Sequence, residues 1–433
     1  MTPTLGGVVG IVVMLLLIFW GTPIGVAMGV VGFVGFALMS GLDPALSLVG
    51  LSPYSSVASY TLTVLPLFVL MGQFAAMSGI SRDLYETANR WLGHRRGGLA
   101  IANVVACGSF AAVSGSSLAT SATMAVVALP EMRRHGYAPR LATGSIAAGG
   151  TLGILIPPSV MFLIYGFLTD QSVGKLFLAG IVPGVVLVVL YALAIAIVTW
   201  RNPALGPAVA RVPVRERVVA LYRVWPVLVL FALVMGGMYV GAFTATEAAA
   251  IGAAGAFALA LGRRSVTWSQ IGRALVETVH TSASLFAILI GAVLLGYFLA
   301  VTQLPTTLAG VIGGLPLPPL AIMALIILLY LVLGAFMDEL AMVLLTVPIF
   351  FPVSQALGFD PIWFGVIIVV VCEAGMIAPP VGINVFVLAG IAKDVPMREI
   401  YRGILPFLWA DVVLLVLLML FPDLALFLPR SMK

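Results

Sequence analysis

The run Ser114-Gly115-Ser116-Ser117, with Thr120 and Ser121 close behind, interrupts an otherwise apolar stretch. Four successive small polar residues break a helix. A helix broken at membrane depth leaves backbone carbonyls and N–H groups that hydrocarbon cannot satisfy. A dehydrated cation answers the carbonyls, and an anionic substrate answers the N–H groups. Helix packing through small residues accounts for Ser and Gly without any ligand. It does not account for a run that ends a helix.

A second apolar stretch turns between Gly334 and Glu339, where Asp338 and Glu339 bring carboxylates into a similar setting. A carboxylate buried in hydrocarbon is costly and marks an ion or proton path by default, whereas one nearer the surface would simply be hydrated. Two further segments pair glycines with a double proline: Gly149-Gly150-Thr151 ahead of Pro157-Pro158, and Glu373-Ala374-Gly375 ahead of Pro379-Pro380. Proline removes a backbone donor and displaces the preceding carbonyls, so each segment is expected to unwind at its glycines and expose hard oxygen ligands. A mere kink, tolerated by neighbouring helices, is the plainer alternative. Asn384 follows the second proline pair closely enough to reach the same cavity. Glu247, at the start of its span, reads as a helix cap or scaffold contact, and Asp411 is an intramembrane carboxylate with no cation in sequence reach.

The elements that position these residues follow from composition. Of 433 residues, 62% are hydrophobic and 9% charged, with a mean hydropathy of +1.19. That is more apolar surface than a soluble core can hide, so lipid must solvate the chain. Apolar stretches of about 17–25 residues, each enough to cross about 30 Å of hydrocarbon, alternate with short Arg-bearing loops. Expected spans are 5–20, 24–40, 60–78, a hairpin 98–134, a broken span 140–169 and 177–199. They recur as 224–241, 246–262, 281–300, a hairpin 318–357, a broken span 362–392 and 404–421. The first stretch has no basic leader and reads as a retained helix rather than a cleaved signal. Cys107 and Cys372 lie in apolar stretches and suit small buried hydrophobes. The net charge of +5 is spread over separate loops without interleaved aromatics, which excludes a nucleic-acid surface.

The recurrence is a duplication. Pro130 pairs with Pro352, Gly136 with Gly358, Gly153 with Gly375, and Pro157-Pro158 with Pro379-Pro380, all 222 positions apart. In this frame Asp338 and Glu339 stand where the first half has Ser116 and Ser117. Each half crosses the membrane an odd number of times if the hairpins re-enter, which makes the repeats inverted. Charge supports the arrangement. If Arg82, Arg90, Arg95 and Arg96 are cytoplasmic, the alternation places Arg133, Arg134, Arg140, Arg201, Arg211, Arg215, Arg217 and Arg223 with them. Arg263, Arg264, Arg273, Lys393, Arg398 and Arg402 fall there too, leaving only Lys175, Arg430 and Lys433 outside. Both termini are then periplasmic.

These motifs together resemble the large membrane subunit of tripartite ATP-independent periplasmic (TRAP) transporters over nearly the whole chain. The resemblance rests on Pro66-Leu67-Phe68, Arg96-Gly97-Gly98-Leu99-Ala100, the Ser114–Ser117 tip and Gly149-Gly150-Thr151-Leu152-Gly153 leading to Pro157-Pro158-Ser159. It continues in Gly174-Lys175-Leu176-Phe177, Thr246-Glu247-Ala248, and Pro379-Pro380-Val381-Gly382 with Asn384. It implies an all-α polytopic membrane protein of two inverted repeats, each with a re-entrant hairpin and a broken helix, working as an elevator-type, sodium-driven importer in the bacterial inner membrane. Its implied partners are a small four-helix membrane subunit on a separate chain and a periplasmic substrate-binding protein. Its implied substrate is an organic acid such as a dicarboxylate, sialic acid or another sugar acid. No cofactor is implied beyond sodium as coupling ion.

Carried over by residue, one sodium site would use Ser114, Gly115, Ser116 and Ser117 with Gly150, Thr151 and Gly153. The other would use Gly334, Asp338 and Glu339 with Glu373, Gly375 and Ala378. Thr120, Pro157, Pro158, Pro379, Pro380 and Asn384 would face the substrate. Relatives often carry Asn and Thr where this chain has Val371 and Ala378, so a side-chain oxygen at the second site is missing. The implied division makes 98–169 and 318–392 the moving transport domain, and 1–78, 177–199, 224–300 and 404–421 the scaffold, with 200–223 a cytoplasmic linker. A stand-alone sodium or proton symporter of organic anions would share this architecture. An intramembrane serine protease needs a base, and His94, His135 and His280 all fall in or beside predicted cytoplasmic loops. A purely structural scaffold has no reason to keep two costly helix breaks. No Gly-x-x-x-x-Gly-Lys loop for nucleotide occurs.

Overall fold

A computed structural model describes residues 2–263 and 266–432, and these form helices joined by short turns. Arg264 and Lys433, used in the charge argument, lie outside the described residues. The first repeat comprises α1 (Pro3–Phe19), α2 (Ile24–Ser40), α3 (Leu42–Val57), a 3-10 turn at Tyr60–Thr63 leading into α4 (Val64–Met77), and α5 (Ile80–Leu92). The hairpin α6 (Gly98–Ser114) and α7 (Ser117–Arg134) follows, then the broken helix α8 (Pro139–Leu155) and α9 (Val160–Thr169), then α10 (Val173–Arg201). The second repeat runs α11 (Val214–Tyr239), α12 (Ala245–Gly262), α13 (Trp268–Thr302), α14 (Leu304–Gly313), hairpin α15 (Pro319–Gly334) and α16 (Glu339–Ala356). It closes with broken helix α17 (Pro361–Ile377) and α18 (Ile383–Ile391), α19 (Met397–Leu420) and the short α20 (Asp423–Ser431).

Local chemistry starts these helices where they start. Pro139 and Pro361 stand at the first positions of α8 and α17, where the missing N–H costs nothing. Asp360 caps α17 by accepting from Ile362 N at 2.8 Å and Trp363 N at 3.2 Å. Thr244 and Glu247 form a complete capping box at the head of α12, which settles the reading of Glu247 as a cap.

Elements of one repeat pack on the exchanged partners of the other. α2 lies on α13 and α12 on α4, α8 lies on α19 and α17 on α10, and α7 lies on α18 and α16 on α9. Each contact therefore occurs twice, as a pseudo-two-fold axis requires, and α8 with α17 and α10 with α19 meet across that axis. The lipid-facing sides are apolar: Phe19, Leu38, Trp200 and Trp268 are among the exposed side chains.

Several sequence expectations change. The segment around Arg82 and Arg90 is a helix, α5, not a loop. Ile80, Leu84, Tyr85 and Ala88 form its buried stripe, while Arg82, Asp83, Glu86 and Arg90 are charged positions off that stripe. It is held to α11 by Thr87 Oγ1 donating to Ala220 O (3.1 Å) and Trp91 Nε1 donating to Arg217 O (3.2 Å), and an Asp83–Arg263 ion pair ties it to the end of α12. The stretch before residue 60 holds the unexpected α3, which Gly50 and Pro53 disguise. The second repeat has one 35-residue helix, α13, where the first has α3, the turn and α4. The linker 200–223 shrinks because α10 reaches Arg201 and α11 begins at Val214. What remains is pinned to the hairpin base by Gly97 N donating to Gly206 O (2.8 Å), Ala138 N to Leu205 O (3.0 Å) and Val209 N to Gly93 O (3.0 Å). The helices covering 177–199 and 404–421 pack on each other and also on the broken helices of both repeats. α10 lies on α6, α8, α9 and α17, and α19 on α8, α17 and α18.

Candidate functional site

The first hairpin turns at Gly115-Ser116, between the end of α6 and the start of α7. Gly115 takes a left-handed φ of 65°, and a Cβ there would come within 2.8 Å of Pro158 O, so the turn needs glycine twice over. Thr120 braces the tip from behind: its Oγ1 lies 2.7 Å from Ser114 Oγ and donates to Ser116 O at 2.8 Å. The unwinding expected at Gly149-Gly150 does not occur. α8 is continuous to Leu155 and breaks only at residues 156–159, at the prolines. The glycines instead let the hairpin approach. A Cβ on Gly150 would meet Ser121 Cβ at 2.8 Å, and one on Gly153 would meet the Ser116 carbonyl carbon at 2.8 Å.

The second hairpin follows the same logic. α17 stays helical through Gly375 and breaks at 378–382, while Gly375 and Gly334 bring two backbones together; a Cβ on Gly375 would lie 2.8 Å from Gly334 Cα. Val381 N donates to Ala335 O at 3.3 Å, joining the break to the tip. Asp338 caps α16 through Leu340 N at 3.1 Å, so part of its carboxylate is spent locally. Ala378, which lacks a side-chain oxygen, caps α17. The proline pairs differ: Pro157 and Pro158 are buried, Pro379 and Pro380 exposed.

The two halves meet through their own counterparts. Ser117 Oγ donates to Glu339 Oε2 at 3.4 Å, and Thr151 Oγ1 donates to Glu373 Oε1 at 2.7 Å, each pair 222 positions apart. A residue that touches its own counterpart lies on the symmetry axis, as in any two-fold contact. Both pairs therefore mark the axis, and residues assigned from sequence to opposite sites share one polar seam. Ser117, Thr120, Ser121, Thr151, Glu373 and Asn384 are all completely buried, and Glu339 nearly so. Asn384 Nδ2 donates to Ala147 O at 3.4 Å, linking α18 to α8.

Two residues complete the seam. Tyr191 OH donates to Asp411 Oδ1 at 2.6 Å and lies 3.5 Å from Thr151 Oγ1. Asp411, without a partner in the sequence, has one in the fold. Tyr191 escaped sequence reasoning although a tyrosine in the middle of an aliphatic span is a signal worth heeding. Gly72 of α4 was also missed; a Cβ there would lie 2.8 Å from Ser114 O, so α4 seats the first tip.

An all-α chain with inverted hairpins and broken helices meeting on an axis has the fold of a multi-pass membrane protein. The crystal structure of the Alcanivorax borkumensis YdaH transporter is similar over 98% of each chain, with a TM-score of 0.67 at 16% identity. Sequence comparison goes further. The family described as tripartite ATP-independent periplasmic transporter, DctM component, matches residues 11–424. The chain is 39% identical to the Pseudomonas aeruginosa C4-dicarboxylate TRAP transporter large permease protein DctM, over 90% of this chain and 93% of that one. It is 33% identical to the Vibrio cholerae sialic acid TRAP transporter large permease protein SiaM, over 96% of both. It is 32% identical to the Oleidesulfovibrio alaskensis isethionate TRAP transporter permease protein DctMQ, over 94% of this chain but 64% of that relative. The chain belongs to the family of TRAP transporter large permease proteins.

Proposed function

We propose that this permease imports a small organic acid across the bacterial inner membrane by sodium-coupled elevator movement, taking it from a periplasmic binding protein. The observation that carries this reading is the buried axial seam. Two hairpin tips and the helices α8 and α17 meet there, and hydroxyls of one repeat face carboxylates of the other with no basic side chain bonded to them among the described residues. Hard oxygens buried in this way suit a dehydrated cation. The substrate class is drawn from relatives named for C4-dicarboxylate and for sialic acid. The fused permease DctMQ supports a separate small membrane subunit as partner, since the present chain covers 64% of it.

The first sodium would sit between the Ser114–Ser117 tip and α8, the second between Gly334, Glu339, Glu373 and Gly375. The break residues Pro157, Pro158, Pro379, Pro380 and Asn384 would face the substrate, while Thr120 serves by bracing the tip. The moving body includes α10 and α19 along with the hairpins and broken helices, because those two helices pack on α8 and α17. The frame is then α1–α5 and α11–α14, with both termini periplasmic.

Proteoliposomes containing this chain and its small subunit, supplied with binding protein and labelled acid, test the reading. Uptake should require an inward sodium gradient and no ATP. Equal uptake in choline and sodium removes the coupling, and full uptake without binding protein favours a stand-alone symporter.

A further inference from the structure

Tyr191 and Asp411 lie outside both hairpins, and the sites above do not use them. Tyr191 sits midway along α10 and Asp411 midway along α19, both with no solvent exposure. Through Thr151 they connect to Glu373, so oxygens from α8, α10, α17 and α19 form one chain in which no step exceeds 3.5 Å. Asp411 Oδ2 and Glu373 Oε2 are buried with no hydrogen-bond partner. Among the described residues no Lys, Arg or His forms an ion pair with either carboxylate.

Tyr191 has a single hydroxyl proton and gives it to Asp411 Oδ1, which leaves Asp411 Oδ2 and Glu373 Oε2 as the two buried oxygens that nothing in the fold answers. A carboxylate that ionises in a dry interior needs a balancing charge, since a lone buried charge is strongly disfavoured. The donors are all hard oxygens, which excludes the softer metals. Calcium takes about 6–8 oxygens and magnesium keeps several waters; four side chains linked one to the next provide neither. No group of three or more His, Cys, Asp or Glu stands together among the described residues, as a tight divalent site would require.

We propose that Asp411, Tyr191, Thr151 and Glu373 form a binding site for one dehydrated monovalent cation, distinct from the two hairpin-tip positions. The site rests on the reading of the chain as cation-coupled, and it shares Thr151 and Glu373 with that machinery. Asp411 supplies the charge, and Tyr191 orients it.

The test uses the purified permease in lipid nanodiscs, with thermal unfolding followed against sodium chloride at constant ionic strength in choline chloride. Asp411→Asn keeps shape and removes charge; it should raise the sodium concentration for half-maximal stabilisation by about tenfold or more and reduce the steepness of the titration. Tyr191→Phe keeps the edge-on packing against Phe407, 5.3 Å between ring centroids, and should shift the midpoint the same way by less. A titration unchanged in both variants overturns the proposal, and so does an Asp411→Asn variant altered only in its response to pH, which would make the occupant a proton. If Asp411→Asn does not fold, Tyr191→Phe alone decides. Ser116→Val separates the two readings: its failure to shift the midpoint removes the hairpin-tip site while an Asp411→Asn shift keeps this one, and the converse pattern removes this one.

Discussion

The axial contact between Thr151 and Glu373 is the feature most open to a quantitative test. Thr151→Val preserves shape and deletes the 2.7 Å hydrogen bond between two completely buried groups. Glu373 already has one oxygen without a partner, so the variant strips its other oxygen of its donor. A net hydrogen bond contributes about 0.5–1.5 kcal/mol, and an orphaned buried acceptor costs about 1–3 kcal/mol. Thr151→Val should therefore destabilise the protein by roughly 2 kcal/mol, about 30-fold in the unfolding equilibrium. Glu373→Met removes the acceptor and fills its volume, so it should cost less, because no buried acceptor is then left without its donor. Added to Glu373→Met, the Thr151→Val change should cost under about 1 kcal/mol. The double-mutant cycle, read by equilibrium unfolding in mixed micelles without sodium, should give a coupling of about 1–2 kcal/mol. Single effects that add to within about 0.5 kcal/mol would refute a direct contact, and with it the placement of these positions on the axis.

Other consequences are simpler. A Cβ on Gly144 would lie 2.9 Å from Gly403 Cα, so Gly144→Ala should force α8 from α19 and cost about 1–3 kcal/mol, seen as a lower unfolding midpoint. Thr244→Ala removes the capping box of α12 and should cost about 1 kcal/mol, with faster amide exchange confined to its first turn. Asp394, between α18 and α19, is held below the usual carboxylate range by its own backbone N–H and by Arg133, 2.6 Å away. A depressed carboxylate stabilises the fold above its unfolded value and loses that effect as pH falls through its folded value. The stability difference between the wild type and Asp394→Asn should therefore vanish on acidification, and Arg133→Gln should raise the ionisation range of Asp394 in a carboxyl NMR titration.

Much of the architecture was legible because it depends on short-range rules. Hydrocarbon admits only helices, so apolar runs located the spans, and the shared 222-residue frame of Pro157-Pro158 with Pro379-Pro380 revealed the duplication. Ser114–Ser117 and Gly334–Glu339 were visible as tips because they break helices. The errors were local as well. Gly149-Gly150 and Gly375 were expected to unwind, whereas in membrane helices a glycine equally serves close approach, and only the partner backbone says which. α5 passed for a loop because its charges stood out more than its apolar stripe.

The sequence by itself determined the membrane class, the two repeats and, Tyr191 excepted, the polar residues that the fold buries together. Tertiary structure alone decided which of those residues meet. Ser117 with Glu339, Thr151 with Glu373 and Tyr191 with Asp411 are each some 220 positions apart, beyond any periodicity of a helix. They touch because the two repeats close on one axis. That closure turns two lists of candidate ligands into a single buried seam and gives Asp411 the partner that its own neighbourhood lacks.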